Sequence, residues 1–425
     1  MGWGARGNVW LLRNDRIAGH IVDPTAGRMK HLTLDRATFG PLGFGSSVLG
    51  NLYAPIEDEV ALDATRKAVD LGIRYFDTAP HYGFGLSERR LGAALRELDP
   101  RQELIVSTKA GRKLVARPEV DTGRARQGFV TAEPYESEFD YTYDSVMRTY
   151  EDSLRRLQRE HIDVLYVHDI GRFSHGENHP QRFAEFMDGG YRAMRELRSS
   201  GAVGAIGIGV NEWQVCEEAL ALADFDIVLL AGRYTLLEQE ALETFLPLCA
   251  QRGVRVVVGG PYNSGILATG VGKPSGADPG AAHPGAHQPG APQAGTVQPG
   301  VAQTRAEQPR AAQSAAFRPG AARYNYTAAP NEIVARVAAI ESICDAHQVP
   351  LAAAALQFPL AHPQVLSVVP GMGTPDQVRQ AVDHVRRAIP PALWTDLRSA
   401  GLIRPDAPVP QLSQPTSLRA EAVRT

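Results

Sequence analysis

Asp77, Tyr82, Lys109 and His168 are the residues of this chain whose types and spacing offer chemistry. Asp77 and Tyr82 share the segment RYFDTAPHYG, Lys109 stands in IVSTKAG, and His168 in LYVHDIG. Each is ordinary alone: a strand-end Asp caps a turn, a Tyr packs, a Lys is solvated, and a buried His satisfies hydrogen bonds. Brought to one pocket, they make a set for moving a proton to or from an alcohol. A phenol with an unperturbed pKa of about 10 is a poor base at neutral pH. An adjacent ammonium stabilises its phenolate, an imidazole hydrogen-bonds or relays, and a carboxylate holds the ammonium charged and in place.

The elements that must position them are legible as alternating patterns. Short apolar runs at 42–45, 73–77, 104–109, 162–168, 205–210, 227–231, 254–259 and 365–369 read as buried strands. Amphipathic stretches at 57–71, 87–98, 143–160, 191–199, 212–223, 238–252, 331–347 and 374–386 read as helices. Eight such units are what a closed (β/α)8 TIM barrel requires, and its active site gathers at the C-terminal strand ends, where Asp77, Lys109 and His168 fall. An open doubly wound sheet is the alternative. It would carry G-x-G-x-x-G between its first strand and a helix, whereas GFGSSVLG at 43–50 leads into no helix.

The chain has 425 residues, 44% hydrophobic and 21% charged, a composition that buries a sizeable core and excludes wholesale disorder. Its net charge of −3 provides no positive field for a nucleic-acid backbone or an anionic membrane, so neither is expected as a partner. Cys216, Cys249 and Cys344 are far apart with no C-x-x-C spacing, which suits a reducing cytoplasm and offers no metal site. Arg13, Asp15 and Arg16 interrupt the first apolar run short of a signal-peptide core. One barrel domain is expected over 31–404, interrupted at 271–322 by a low-complexity Pro/Ala/Gly segment read as a disordered or PPII-like insert. Residues 1–30 read as a disordered extension, with Met29 an alternative start, and 405–425 as a tail. Oligomeric state has no readable signature.

The segments G-I-R-Y-F-D-T-A-P-H-Y-G at 72–83, G-L-S-E-R-R-L-G at 85–92, S-T-K at 107–109, Y-V-H-D at 166–169 and G-I-G-V-N at 207–211 resemble the aldo-keto reductase family in order and spacing. The resemblance covers nearly all of the chain outside the 271–322 segment and the two ends. It implies that Asp77, Tyr82, Lys109 and His168 form a catalytic tetrad with Tyr82 the general acid/base. It also implies a nicotinamide cofactor extended across the top of the barrel. The segments 229–239, 256–268 and 354–363 resemble the branch that holds L-fucose dehydrogenase, D-threo-aldose 1-dehydrogenase (D-arabinose dehydrogenase) and pyridoxal 4-dehydrogenase. That likeness implies oxidation of an aldose hemiacetal, of L-fucose, L-galactose or D-arabinose type, to the lactone. The alternatives are a pyridoxal 4-dehydrogenase, a general aldehyde or ketone reductase and, outside catalysis, a nucleotide-binding regulatory subunit.

By the same resemblance Asn211 meets the nicotinamide carboxamide, and Arg233 with Tyr234 flanks the ring. Tyr262, Asn263, Ser264, Gly265 and Leu267 match the loop over the pyrophosphate, where small residues let backbone N–H groups approach phosphate oxygens. P-G-M-G-T-P-D-Q-V-R at 370–379 enters a helix whose N-terminus suits an anion, with Thr374 as N-cap and Pro375 next. Gly371 and Gln377 stand where NADP-preferring relatives carry cations for the 2′-phosphate. Arg379 lies nearby, and NAD is expected over NADP. Tyr53, His81, Phe129, Phe173 and Trp213, with the polar and aromatic segment 111–141, are expected to shape the pocket for a small sugar or aldehyde.

Overall fold

A computed structural model describes residues 32–271 and 322–411. The strands β1 (Phe44–Gly45), β2 (Tyr75–Asp77), β3 (Ile105–Ala110), β4 (Ile162–His168), β5 (Val203–Val210), β6 (Ile227–Ala231), β7 (Arg255–Gly259) and β8 (Val365–Val369) pair in chain order, each parallel to the next. The sheet closes on itself, since Gly43 N donates to Val368 O at 2.9 Å and Gly45 N to Pro370 O at 3.0 Å. The outer ring is α1 (Asp58–Asp70), α2 (Leu86–Leu98), α3 (Tyr143–Leu157), α4 (Tyr191–Ser199), α5 (Gln214–Leu222), α6 (Phe245–Arg252), α7 (Leu351–Leu360) and α8 (Pro375–Arg386). The expected (β/α)8 barrel is the fold.

Apolar residues divide into two layers. Phe39, Tyr75, Val164, Tyr166, Leu229, Val257 and Leu366 fill the barrel interior, with Leu32 and Leu34 packed onto them. A larger cluster lies between the strands and the helices and includes Phe76, Val106, Val167, Ile208, Val258 and Trp394. Alternation along each strand sends one set inward and the other outward, which is why β4 is buried at every position.

Several elements differ from the sequence reading. The helix of the seventh unit is Leu351–Leu360, not 331–347, and Asn331–Ala346 is an additional helix. The Leu351–Leu360 segment is apolar nearly all round and carries Pro359, so it has no amphipathic period to read. The 238–252 stretch begins as a short 3-10 turn, Glu240–Leu242, and is α-helical only from Phe245. The segment 111–141 contains an antiparallel hairpin that pairs Arg112–Ala116 with Tyr135–Phe139. A second hairpin pairs Arg323–Tyr324 with Thr327–Ala328, its corner residues Asn325 and Tyr326 both left-handed, the geometry of a tight primed turn. The expected tail starts within the core: Ala407 is buried and its carbonyl accepts from Arg398 at 2.9 Å. The expected extension at 1–30 with its Met29 start, the low-complexity segment from 272 to 321 and the tail beyond 411 lie outside the described residues.

Cys216, Cys249 and Cys344 are buried free thiols. Among the described residues no helix is long and apolar enough to cross a membrane.

Candidate active site

The parallel register sets Asp77 opposite Ser107 and Lys109 opposite Tyr166. Because side chains alternate along a strand, Asp77, Ser107, Lys109, Tyr166 and His168 all face the barrel axis. Next to β4, β5 presents glycine opposite Tyr166: a Cβ at Gly207 would stand 2.8 Å from the Tyr166 ring, so only glycine leaves that ring its place.

A hydrogen-bonded column rises through this interior. Tyr166 and Tyr75 share a hydroxyl contact of 3.2 Å, Tyr75 meets Ser107 Oγ at 2.9 Å, and Ser107 donates to Asp77 Oδ1 at 2.7 Å. Lys109 Nζ then donates to Asp77 Oδ1 at 3.0 Å, to Oδ2 at 2.8 Å and to the Thr78 carbonyl at 2.8 Å. The ammonium lies 4.7 Å from the centre of the Tyr82 ring. Burial alone pushes Lys109 down, but the Asp77 carboxylate and Tyr82 outweigh it and hold the ammonium above its ordinary value.

Tyr82 opens the turn that follows β2. Gly83 and Phe84 are left-handed there, and Gly83 rests against Gly50 so closely that a Cβ would meet the Gly50 carbonyl at 2.5 Å. The His168 ring stands edge-on to Tyr82, centroids 6.1 Å apart at 87°. Burial pushes the Tyr82 phenol above its ordinary value while Lys109 pulls it down. Burial, Lys109 and Arg112 hold His168 well below the usual imidazole range, so it is neutral at pH 7. Its Nδ1 is buried without a hydrogen-bond partner among the described residues. All four expected tetrad residues thus meet in one pocket. The Lys109 ammonium pulls the Tyr82 phenol down, but burial outweighs it, and the phenol stays above its ordinary value.

Of the residues expected at the substrate, two, His81 and Phe129, lie beside the Tyr82 ring. Phe129 lies 6.3 Å from the Tyr82 ring and 5.3 Å from His81, whose Nδ1 meets Ser137 of the first hairpin at 2.9 Å. Tyr53 is left-handed, with its N–H bonded to Gly128 O at 2.8 Å and its ring under the Arg323 guanidinium. Phe173 is half exposed at the rim, 5.9 Å from Arg233. Trp213 packs against the main core at the start of α5, where the backbone leaves the pocket.

The residues expected at a nicotinamide cofactor are distributed along the same end of the barrel. Asn211 Nδ2 makes only 3.3 Å contacts, to Ala231 O and the Tyr326 hydroxyl. Arg233 is engaged with Asn325 Oδ1 at 2.7 Å and Glu238 at 3.5 Å. Tyr234, expected beside it at the ring, is wholly buried against Phe358 and His362, because the chain turns its side chain into the core. In the loop after β7, Asn263 spends its amide on Gly232 O and Thr235, Ser264 Oγ accepts from Tyr326 N at 2.9 Å, and Leu267 N bonds to the half-buried Tyr262. Asn263, Ser264 and Gly265 are all left-handed. Thr374 caps α8 as expected, accepting from Gln377 N, with Pro375 first in the helix. Gln377 Oε1 accepts from Gly373 N at 2.8 Å, and Arg379 pairs with Asp376 on the surface. A Cβ at Gly373 would stand 2.4 Å from Val48, which keeps the approach to the α8 N-terminus narrow and free of side chains at Gly371 and Gly373. A weakly engaged carboxamide partner, a glycine-lined approach and a capped helix N-terminus fit an extended dinucleotide.

Three pocket residues escaped the sequence reading. Asp169 accepts from Arg112 at 2.8 Å and lies 3.5 Å from His168 Nε2. Its place beside His168 in YVHD was the available signal, whereas Arg112 and Tyr326 stood in no motif.

A model of the aldo/keto reductase family matches residues 41–401. Pyridoxal 4-dehydrogenase of Microbacterium luteolum is 40% identical over 374 residues, 86% of this chain and 95% of that protein. D-threo-aldose 1-dehydrogenase of a Pseudomonas species is 36% identical over 367 residues, 85% of this chain and 94% of its own. An aldo-keto reductase of Bacillus halodurans, solved in its holo form, shares the fold with a TM-score of 0.57 over 88% of this chain and 94% of that one, at 24% identity. The chain therefore belongs to the aldo/keto reductase family and is an NAD(P)-dependent oxidoreductase.

Proposed function

We propose that the enzyme oxidises the C1 hemiacetal of an aldose, of L-fucose, L-galactose or D-arabinose type, to the lactone, with NAD preferred to NADP. The observation that carries this reading is the Lys109 ammonium, pinned by Asp77 and lying against the Tyr82 ring. Hemiacetal oxidation needs a base at the anomeric hydroxyl, and an ammonium in that place favours the phenolate. When bound, an oxidised nicotinamide accepts the hydride that C1 gives up. Tyr82 takes the proton of the C1 hydroxyl, so that C–H and O–H bonds break as the carbonyl forms. Neutral His168 holds the substrate oxygen in line by hydrogen bonding without competing for the proton. Asn211, the turn at Ser264–Gly265 and the N-terminus of α8 hold the dinucleotide. The absence of a cation at Gly371 and Gln377 supports NAD. The two long relatives support a cyclic hemiacetal over a plain alcohol, because an aldose closes to one and so does pyridoxal, whose aldehyde faces a hydroxymethyl group. Buried free cysteines suit a cytoplasmic enzyme.

A second reading, pyridoxal 4-dehydrogenase, is favoured by the 40% identity and by the aromatic wall of Phe129 and His81 beside Tyr82. The test is NADH or NADPH formation by the purified protein with L-fucose, L-galactose, D-arabinose, pyridoxal and simple alcohols in parallel. Turnover of one aldose well above the others fixes the substrate class, and turnover of pyridoxal alone selects the second reading. Cofactor binding without any oxidation removes both.

A further inference from the structure

The hairpin Arg323–Ala328 lies across the pocket mouth and is tied to several of its walls. The Arg323 guanidinium stacks on Tyr53 at 4.7 Å, Asn325 takes a hydrogen bond from Arg233 at 2.7 Å, and Tyr326 N donates to Ser264 Oγ at 2.9 Å. Tyr324 donates to Glu238 below it. The tight left-handed corner at Asn325 and Tyr326 turns the Tyr326 side chain inward. Its hydroxyl oxygen accepts from Asn211 Nδ2 at 3.3 Å, which leaves its O–H proton to donate elsewhere.

The residue as a whole is 49% exposed, yet burial at its hydroxyl pushes the phenol up to about 12, and Tyr82 and Asp169 lie close enough to raise it further. It therefore remains a neutral donor through the working pH range. Asp169 supplies the opposite function. Arg112 occupies Oδ2 at 2.8 Å, and among the described residues Oδ1 accepts from no donor. The pocket that holds Tyr82 and His168 thus has a hydroxyl donor on its outer wall and a carboxylate acceptor on its inner wall.

We infer that Tyr326 is a substrate-specificity residue: its hydroxyl, with the Asp169 carboxylate, recognises a hydroxyl group on the carbon next to the reacting one. This rests on the aldose reading. It assigns the hairpin a role toward the substrate, and it explains why a sheet-forming turn is pinned to Tyr53, Arg233 and Ser264 at once: the pins fix where the Tyr326 hydroxyl stands. An unmatched buried donor or acceptor disfavours a ligand that lacks the partner group, which is the physical basis of selectivity for the hydroxylated substrate.

Tyr326→Phe removes the hydroxyl and leaves the backbone, Asn325 and Arg323 ties in place. The full-length protein and this variant are compared with D-arabinose and 2-deoxy-D-ribose, and cofactor affinity is measured in both by quenching of tryptophan fluorescence. Loss of one hydrogen bond is expected to lower kcat/KM on D-arabinose about tenfold, mainly through KM, and to shrink the preference over the deoxy sugar by a similar factor. An unchanged preference overturns the inference, as does a fall fully accounted for by weaker cofactor binding. If the unmodified enzyme oxidises no sugar, the proposed function fails separately. The same ratio is then read in reduction with lactaldehyde against propanal, which differ only in the hydroxyl next to the aldehyde, and an unchanged ratio in Tyr326→Phe again overturns the inference.

Discussion

Lys109 Nζ lies 2.8 Å from Oδ2 and 3.0 Å from Oδ1 of Asp77, with both side chains sealed from solvent. The pair is the foundation of the pocket: it charges the site beside Tyr82, and it is fixed from below by Ser107 and the two buried tyrosines.

Removing one partner strands the other. Asp77→Asn leaves a buried ammonium with only carbonyl and hydroxyl neighbours, a change expected to cost about 3–5 kcal/mol. Thermal unfolding reads it as a lowered Tm, and turnover falls with it. Adding Lys109→Met removes the orphaned charge, so the double variant is expected to regain most of the lost Tm and none of the activity. A double variant no more stable than Asp77→Asn contradicts this view of the pair.

The pH dependence of oxidation follows from the two groups that differ in state. Tyr82 is protonated at neutral pH because burial raises it, and oxidation needs its phenolate, so kcat/KM for oxidation is expected to rise with pH from about 6.5 upward without a plateau below the ordinary phenol value of about 10. His168 and His81 are held well below the usual imidazole range and add no inflection there. An acid limb with an apparent pKa near the ordinary imidazole value in the rate profile, absent from His168→Gln, contradicts the neutral assignment.

Those same histidines make the fold acid-sensitive. Their pKa values are depressed in the folded state by burial, so the unfolded chain binds protons that the native one refuses. Stability is therefore intact above the unfolded value of about 6.5 and declines as pH falls below it, by about 1 kcal/mol per fully neutral histidine at one pH unit lower. His175 and His362, held to about 4, add to the effect. Tm measured from pH 7.5 down to 5 is expected to fall from about 6.5 onward, and less steeply in His81→Gln. A flat Tm across that interval is the contrary outcome.

The proposed preference for NAD is assigned to the start of α8. Gln377 bonds back to Gly373, and Arg379 is turned to Asp376. Gln377→Arg places a cation at the helix N-terminus, and is expected to raise kcat/KM with NADP relative to NAD about tenfold or more. Steady-state kinetics with the two cofactors reads the ratio, and no movement of it would locate the preference elsewhere.

Much of this was legible beforehand because strand ends are marked by chemistry: Asp77, Lys109 and His168 each close an apolar run, so barrel geometry alone brings them together. The Thr374–Pro375 start of α8 was equally plain. What was hidden has physical reasons. The Leu351–Leu360 helix is apolar on every face and shows no period. The Arg112–Phe139 hairpin has half-buried strands whose polar and aromatic residues read as loop. Tyr326 follows a low-complexity segment and reaches Asn211 across the mouth, a contact of residues 115 apart that no local pattern encodes. Tyr234 looked like a ring neighbour of the cofactor because it follows Arg233, yet consecutive residues face opposite ways, and it is the one in the core.

The most direct test of the account compares the unmodified enzyme with Tyr82→Phe on its best hemiacetal substrate, following NADH formation and, in the same preparations, quenching of tryptophan fluorescence by the cofactor. The expected result is a loss of turnover of about 10²–10⁴-fold with cofactor affinity retained. Turnover in Tyr82→Phe within a few-fold of the unmodified enzyme would contradict the assignment of the proton transfer to Tyr82.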